Sequence, residues 1–221
     1  MVFDFFKTGH STIESVEETL AQMMLDGRDV FDTATDALFG GGKSKETKRE
    51  VKDTDHEINV AQQDVRRDLM VHASVQETVD LPLVLAYMGT VKDAERIGDY
   101  SKNVYDLVRY GADFDSAPDR DELAAYSERV SHLIGEASEA FSSKDTERAQ
   151  QLIDKADGFL DDYDAQVKAT FQWEGEPADA VSRALYFRFL KRITAHVMNV
   201  LTSLVMPVDR LDYYDEPKED R

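Results

Sequence analysis

Residues 93–104, DAERIGDYSKNV, and residues 189–200, FLKRITAHVMNV, decide the fold of this chain. The two stretches lie 96 positions apart and share four of their twelve residues. The shared pairs are Arg96/Arg192, Ile97/Ile193, Asn103/Asn199 and Val104/Val200. Apolar residues return in both stretches at intervals of three and four, which is the period of one helix face. The pattern predicts two equivalent long helices and therefore an internal repeat.

The rest of the chain continues this helical period. Only 5 prolines and 11 glycines interrupt 221 residues, and the alternating pattern of strands is missing. Ser11 with Glu14, and Ser116 with Asp119, have the spacing of a helix capping box. We predict an all-α protein whose six long helices span about residues 11–38, 45–73, 80–110, 118–141, 144–172 and 177–206.

Six antiparallel helices and one repeat predict two consecutive three-helix bundles, because three helices can each turn an apolar stripe to a common axis. The first bundle is expected over residues 1–112. The second is expected over residues 113–221, with an acidic tail from Asp212 onward. Gly40-Gly-Gly-Lys-Ser44 resembles a phosphate loop only superficially, since no strand precedes it, and is interpreted as a flexible linker.

Composition excludes several classes of protein. The chain is 42% hydrophobic and 32% charged, with no signal peptide or membrane span, so we expect a soluble cytoplasmic protein. It has no cysteine, which excludes disulfides, thiolate metal sites and a cysteine nucleophile. Its net charge of −19 disfavours binding to nucleic acid or anionic lipid. The acidic surface fits either ordinary solubility or a salty cytoplasm, and the sequence leaves both open.

Oxygen-bearing side chains form a ridge on the third helix. Glu95, Asp99 and Asn103 recur every four residues and therefore share one face. Asp55 and Asn59 have the same spacing on the second helix, which an antiparallel neighbour would bring opposite. Hard cations such as Mg²⁺, Mn²⁺ and iron favour such oxygens. The alternative is an ordinary solvated helix face.

The same residues carry a resemblance to a known family. Glu95-Arg-Ile-Gly-Asp99 followed by Asn103 resembles the ERIGD-x-x-x-N signature of the PhoU family of phosphate-uptake regulators. Asp55-His-Glu-Ile-Asn59 resembles that family's D-x-x-I-D element, with an amide in place of the second acid. Asp80-Leu-Pro82 resembles the start of the family's third helix, although Pro82 stands where arginine is usual. The resemblance extends from about residue 13 to 206.

This resemblance implies a function as well as the fold. It implies a regulator without catalytic activity, acting between a phosphate transporter ATPase and a sensor kinase, in peripheral contact with the membrane transporter. It also implies metal ions on paired carboxylate ridges, so that iron, Mn or Mg is expected on the first bundle. The predicted ligands are Asp55, Asn59, Glu95, Asp99 and Asn103. A homodimer is left open.

The second bundle departs from the family pattern. Lys191 stands where glutamate is usual, and Ala195 where aspartate is usual. A lysine ammonium there would repel a metal and could neutralise Asp157 or Asp161 instead. We therefore expect no metal on the second bundle.

Three alternative functions remain. The first is a regulatory partner of a low-affinity phosphate permease, and the second is a metal-dependent helical hydrolase acting on phosphorylated substrates. The third is a metal-free structural adaptor. None of the five histidines follows a glutamate at the E-x-x-H spacing, which argues against a ferritin-like di-iron enzyme. The sequence also contains no phosphate loop, G-x-S-x-G elbow or H-E-x-x-H motif.

Overall fold

A computed structural model describes residues 12–41, 44–76 and 79–211, and these residues contain six long helices and no strand. The helices are α1 (Thr12–Leu38), α2 (Lys45–Val75), α3 (Leu81–Arg109), α4 (Arg120–Ser143), α5 (Thr146–Thr170) and α6 (Pro177–Val205), followed by a short 3-10 helix at Val208–Arg210. Each predicted helix is present, with ends that differ from the predicted ones by no more than two residues. The all-α prediction is confirmed.

Side-chain caps begin three of the helices. Ser44 Oγ accepts a hydrogen bond from the Thr47 amide at 3.0 Å, which starts α2 at the residue after the glycine linker. Asp80 caps α3, and Pro82 lies in its first turn, where a missing amide donor costs nothing. Asp145 caps α5. The predicted cap at Ser11, residues 42 and 43 of the linker and the acidic tail lie outside the described residues.

Two helix starts lie two residues after the approximate positions that the sequence predicts. The fourth helix begins at Arg120, and Asp119 before it makes no side-chain capping bond, since both its carboxylate oxygens accept hydrogen bonds from Arg183, at 2.6 Å each. The fifth begins at Thr146 because Lys144 has a φ of 54°, a left-handed conformation that ends α4. Neither the tertiary ion pair nor the left-handed lysine has a local sequence signal.

The first three helices pack closely around their own apolar stripes. α1 and α3 meet at glycines: a methyl group on Gly27 would lie 3.0 Å from Ile97 Cγ2 and 3.3 Å from the backbone nitrogen of Gly98. Their backbones can approach because neither glycine carries a side chain. This contact fixes the face of α3 that turns toward α2.

The two halves of the repeat are joined along α3 and α6, which run antiparallel. Asp93 contacts Asn199, and seven residues later Tyr100 contacts Arg192. Tyr100 and His196 occupy equivalent positions of the 96-residue repeat, and their rings stack with centroids 5.6 Å apart. Contact between equivalent residues is what a two-fold relation between the halves requires.

α1 and α4 form a second junction between the halves. Ser138 donates a hydrogen bond to the carbonyl of Ala21, and Arg28 Nε donates to Ser131 Oγ, each at 3.0 Å. One continuous hydrophobic core extends through both halves. The division into bundles at residue 112 remains a prediction.

Candidate functional site

The structure brings the predicted ridges of α2 and α3 face to face. Asp55 on α2 lies opposite Glu95 and Asp99 on α3, and all three side chains are half-buried. We call these three acids the carboxylate cluster. Its proximity follows from the antiparallel packing of the two helices and from the four-residue spacing on each.

A lysine bridges the two helices inside this cluster. Lys102 Nζ lies 2.8 Å from Asp55 Oδ1 and 3.2 Å from Asp99 Oδ1, and donates a hydrogen bond to each. Asp55 and Asp99 therefore converge on one position, which an ammonium group occupies. The sequence prediction missed Lys102, although it lies beside Asn103 and three residues after Asp99, on the same face of the helix.

Arg96 supplies a second cation to the carboxylate cluster. Arg96 Nη1 donates to Asp99 Oδ2 at 2.7 Å, and Arg96 Nε lies 3.7 Å from Glu95 Oε2. Asp99 is thus held between Arg96 and Lys102. Every carboxylate of the cluster has a cationic side chain within 4 Å.

The local charges perturb the ionisation of two members. Burial raises the pKa of Glu95, the charge of Asp99 raises it further, and Arg96 opposes both. Burial acts to lower the pKa of Lys102, but hydrogen bonds and attraction from Asp55 and Asp99 outweigh it and raise that pKa above its usual value. Lys102 is therefore a charged ammonium at neutral pH.

The two predicted amide ligands, Asn59 and Asn103, lie on α2 and α3, respectively, and their role as metal ligands stays a prediction. Asn59 Nδ2 donates to the backbone carbonyl of Asp55 at 2.8 Å, one turn back on its own helix. Asn103 is half-buried on α3. Among the described residues, no group of three or more histidines, aspartates or glutamates is arranged to hold a metal ion.

As they lie, the side chains do not fit a resident metal ion. A metal ion between Asp55 Oδ1 and Asp99 Oδ1 would lie where the Lys102 ammonium lies, and a divalent cation and an ammonium repel each other at such short distances. The metal ion on the first bundle remains a prediction. Its binding would require Lys102 to move.

A groove lies along the same helices, toward the end of α3. Its volume is about 350 Å³, and it is lined by Lys48, Val51, Lys52, Asp55, Lys102, Tyr105, Asp106 and Arg109. Glu95 and Asp99 are not among its lining residues. The only carboxylate that the cluster shares with this groove is Asp55, whose Oδ1 accepts from Lys102.

The second half of the repeat places cations between the corresponding helices. Lys191 on α6 pairs with Asp164 on α5, the helix that also carries Asp157 and Asp161. Arg129 on α4 donates to Asp162 at 2.9 Å. Aspartates of α5 are thus joined to both neighbouring helices by cationic side chains.

A second polar cluster lies where the two halves meet, and the sequence prediction missed it. Asp93 Oδ1 lies 2.7 Å from His196 Nδ1 and 3.2 Å from Asn199 Nδ2. The three residues are 2%, 6% and 3% exposed, respectively. Asp93 precedes Ala94 on the apolar side of the helix, and a charged residue at such a position is the signal that could have identified it.

Comparison with known proteins shows similarity to PhoU proteins. The profile of the PhoU domain matches residues 20–108. A phosphate-specific transport system accessory protein PhoU homolog from Synechocystis sp. is 26% identical over 194 residues, covering 85% of both chains. A protein of the same description from Aquifex aeolicus is 24% identical over 182 residues, covering 81% of both. The chain is similar to PhoU proteins over most of its length, and residues 20–108 match the PhoU domain.

Solved structures show that the PhoU fold extends over nearly the whole chain. PhoU from Pseudomonas aeruginosa superposes with a TM-score of 0.75 at 20% identity, covering 90% of this chain and 97% of that one. The phosphate transport system regulatory protein PhoU from Streptococcus pneumoniae gives 0.72 at 20% identity, covering 87% and 93%. The predicted helical fold is confirmed, and so is the resemblance to PhoU proteins that residues 93–104 indicated.

Proposed function

We propose that this PhoU-family protein regulates phosphate uptake as a cytoplasmic accessory protein of a phosphate-specific transport system. It does so by contacting the transporter ATPase and a sensor kinase. The observation that carries the proposal is the similarity, over more than 80% of both chains, to two proteins described as accessory proteins of that system.

The carboxylate cluster supports a role in binding over one in catalysis. A metal-dependent hydrolase would bring its carboxylates and its substrate together in one cavity. Here Glu95 and Asp99 do not line the adjacent groove, and the carboxylates are engaged by Arg96 and Lys102. The proposed regulation requires no metal ion at this cluster.

Exposed apolar side chains supply the contact surface in this proposal. Val75 and Leu85 flank the connection between α2 and α3 and are 65% and 52% exposed. Phe171 and Val181 flank the connection between α5 and α6 and are 82% and 58% exposed. Large apolar side chains grouped on a surface are typical of interaction sites.

The two groups are related by the repeat. Val75 and Phe171 differ by 96 positions, as do Leu85 and Val181. Equivalent places in the two halves therefore present apolar surface, which a partner with two similar contact elements could engage together. None of the helices in residues 12–41, 44–76 and 79–211 has the length and apolar character of a membrane span. The contact with the transporter is, in this proposal, a peripheral one.

Phosphate uptake tests this proposal. Cells lacking the protein are complemented with the wild type, with the double variant Val75→Asp, Leu85→Asp, or with Val60→Asp as a matched control. Val60 is an exposed apolar residue of α2, well before its end. The double variant should lose the dependence of uptake rate on external phosphate, whereas Val60→Asp should keep it.

The same experiment separates the alternatives. Normal regulation by the double variant, at wild-type protein levels, would contradict the proposed contact surface. Regulation that persists when the ATP-driven transporter is deleted would indicate the low-affinity permease as the partner instead.

A further inference from the structure

We propose that Lys102 is the resident cation of the carboxylate cluster in this chain, in the position where the family resemblance predicts a metal ion. Its ammonium group lies 2.8 Å from Asp55 Oδ1 and 3.2 Å from Asp99 Oδ1. The lysine is therefore a tethered counter-ion that closes α2 against α3. This inference is independent of the proposed function, since a PhoU-family regulator could use either cation.

The charges of the carboxylate cluster are nearly balanced by cations of the chain itself. Asp55, Glu95 and Asp99 bring three negative charges to facing helices, and unscreened repulsion between them would push α2 and α3 apart. Lys102 and Arg96 return two positive charges from within the chain. The remaining charge of one is no larger than that of a single half-buried acid, so the helices close without an added ion.

Lys102 joins two helices, as a bridging metal ion would. It links residues 47 positions apart, on two different helices, whereas Arg96 binds only acids on its own helix. A bridging metal ion would perform the same task of joining Asp55 to the α3 ridge. A tethered ammonium performs it without the loss of translational freedom that binding a separate ion requires.

The other half of the repeat also has a lysine between its last two helices. There Lys191 of α6 pairs with Asp164 of α5, so a lysine again joins the last helix of a bundle to the one before it. The two lysines are not equivalent positions, because the repeat places Glu95, not Lys102, at the position of Lys191. In each half, a lysine of the last helix therefore pairs with an aspartate of the helix before it, although the two lysines lie on different turns of their helices.

The consequence is that stability of the first bundle does not depend on metal supply. Wild-type protein should keep its melting temperature with Mn²⁺ or Fe²⁺ added and with chelator present. Lys102→Met removes the ammonium but keeps the length and apolar stem of the side chain. The freed oxygens of Asp55 and Asp99 should then bind a divalent cation.

The test uses the full chain and Mn²⁺ as the probe. Melting temperature and bound Mn²⁺, by elemental analysis after gel filtration, are measured for the wild type, Lys102→Met and Lys102→Arg. Lys102→Met should melt below the wild type without metal. At a hundredfold excess of Mn²⁺ over its dissociation constant, its melting temperature should rise by about 5 °C or more.

Two controls keep the outcome specific. Lys92→Met makes the same change at an exposed lysine of α3 and should not create Mn²⁺ binding. Lys102→Arg keeps a cation in the cluster and should remain insensitive to Mn²⁺. A Mn²⁺ ion bound stoichiometrically by the wild type with a raised melting temperature would overturn the proposal. So would a folded Lys102→Met variant that binds no Mn²⁺.

Discussion

Asp93 is the residue whose removal should weaken the junction of the two halves most. The substitution Asp93→Ala takes away the acceptor that lies 2.7 Å from His196 Nδ1 and 3.2 Å from Asn199 Nδ2. Both donors stay buried, at 6% and 3% exposure, where water does not replace the lost partner. Each buried donor left unpaired costs about 1–3 kcal/mol.

The expected loss follows from these two donors. Together they cost about 2–6 kcal/mol in the free energy of unfolding. For a chain of this size, that corresponds to a fall of about 4–24 °C in melting temperature. Urea unfolding followed by far-UV circular dichroism measures the free energy directly.

A double-mutant cycle separates the pair from general damage. His196→Phe keeps a ring to stack on Tyr100, so Asp93→Ala with His196→Phe should lose about 1.5–3 kcal/mol less than the sum of the single losses. Asp53→Ala, at an exposed ion pair with Arg49, is the control and should cost under about 1 kcal/mol. A loss below 1 kcal/mol for Asp93→Ala, or strictly additive single changes, would refute the reasoning.

Three further predictions concern packing and charge. Gly27→Ala should destabilise by about 1 kcal/mol because its new methyl would press on the α3 backbone, whereas Gly89→Ala, with no atom within 4 Å, should stabilise by about 0.5–1 kcal/mol; urea unfolding of both tests this. Hydrogen bonds from Arg183 lower the pKa of Asp119, so this pair stabilises the fold above the unfolded pKa of about 3.9 and is lost as pH falls. Asp119→Asn should therefore be less stable near neutral pH, and its stability should fall less steeply in acid, as pH-dependent urea unfolding would show. Tyr186→Phe removes the hydroxyl that donates to a buried carbonyl at 2.8 Å and should cost about 1–3 kcal/mol in the same assay.

Periodicity and glycine placement were enough to predict the helices. The apolar spacing of three and four extends over whole helices, so an error at one residue changes little, and Ser44 and Asp80 mark their starts through local hydrogen bonds. The use of the Asp119 side chain was not predictable in this way, because Arg183 lies 64 residues from the carboxylate that it binds. A local pattern does not contain such a contact.

The candidate site shows the same division. Four-residue spacing placed Glu95 and Asp99 on one face, and antiparallel packing brought Asp55 opposite them, as predicted. The position of Lys102 depends on which way a long flexible side chain turns, and that is decided by the acids on both helices. The pairing of Asp93 with His196 depends on the contact between the halves, which no spacing within either half predicts.

Phosphate uptake in cells that lack the protein tests the central claim most directly. Initial rates of labelled phosphate uptake are measured over a range of external phosphate, with the wild-type gene restored as the reference. Uptake in the deletion strain should no longer fall as phosphate becomes abundant. The restored gene should bring back the dependence of uptake rate on external phosphate. A deletion strain whose uptake follows external phosphate as the wild type does would contradict the proposed regulation.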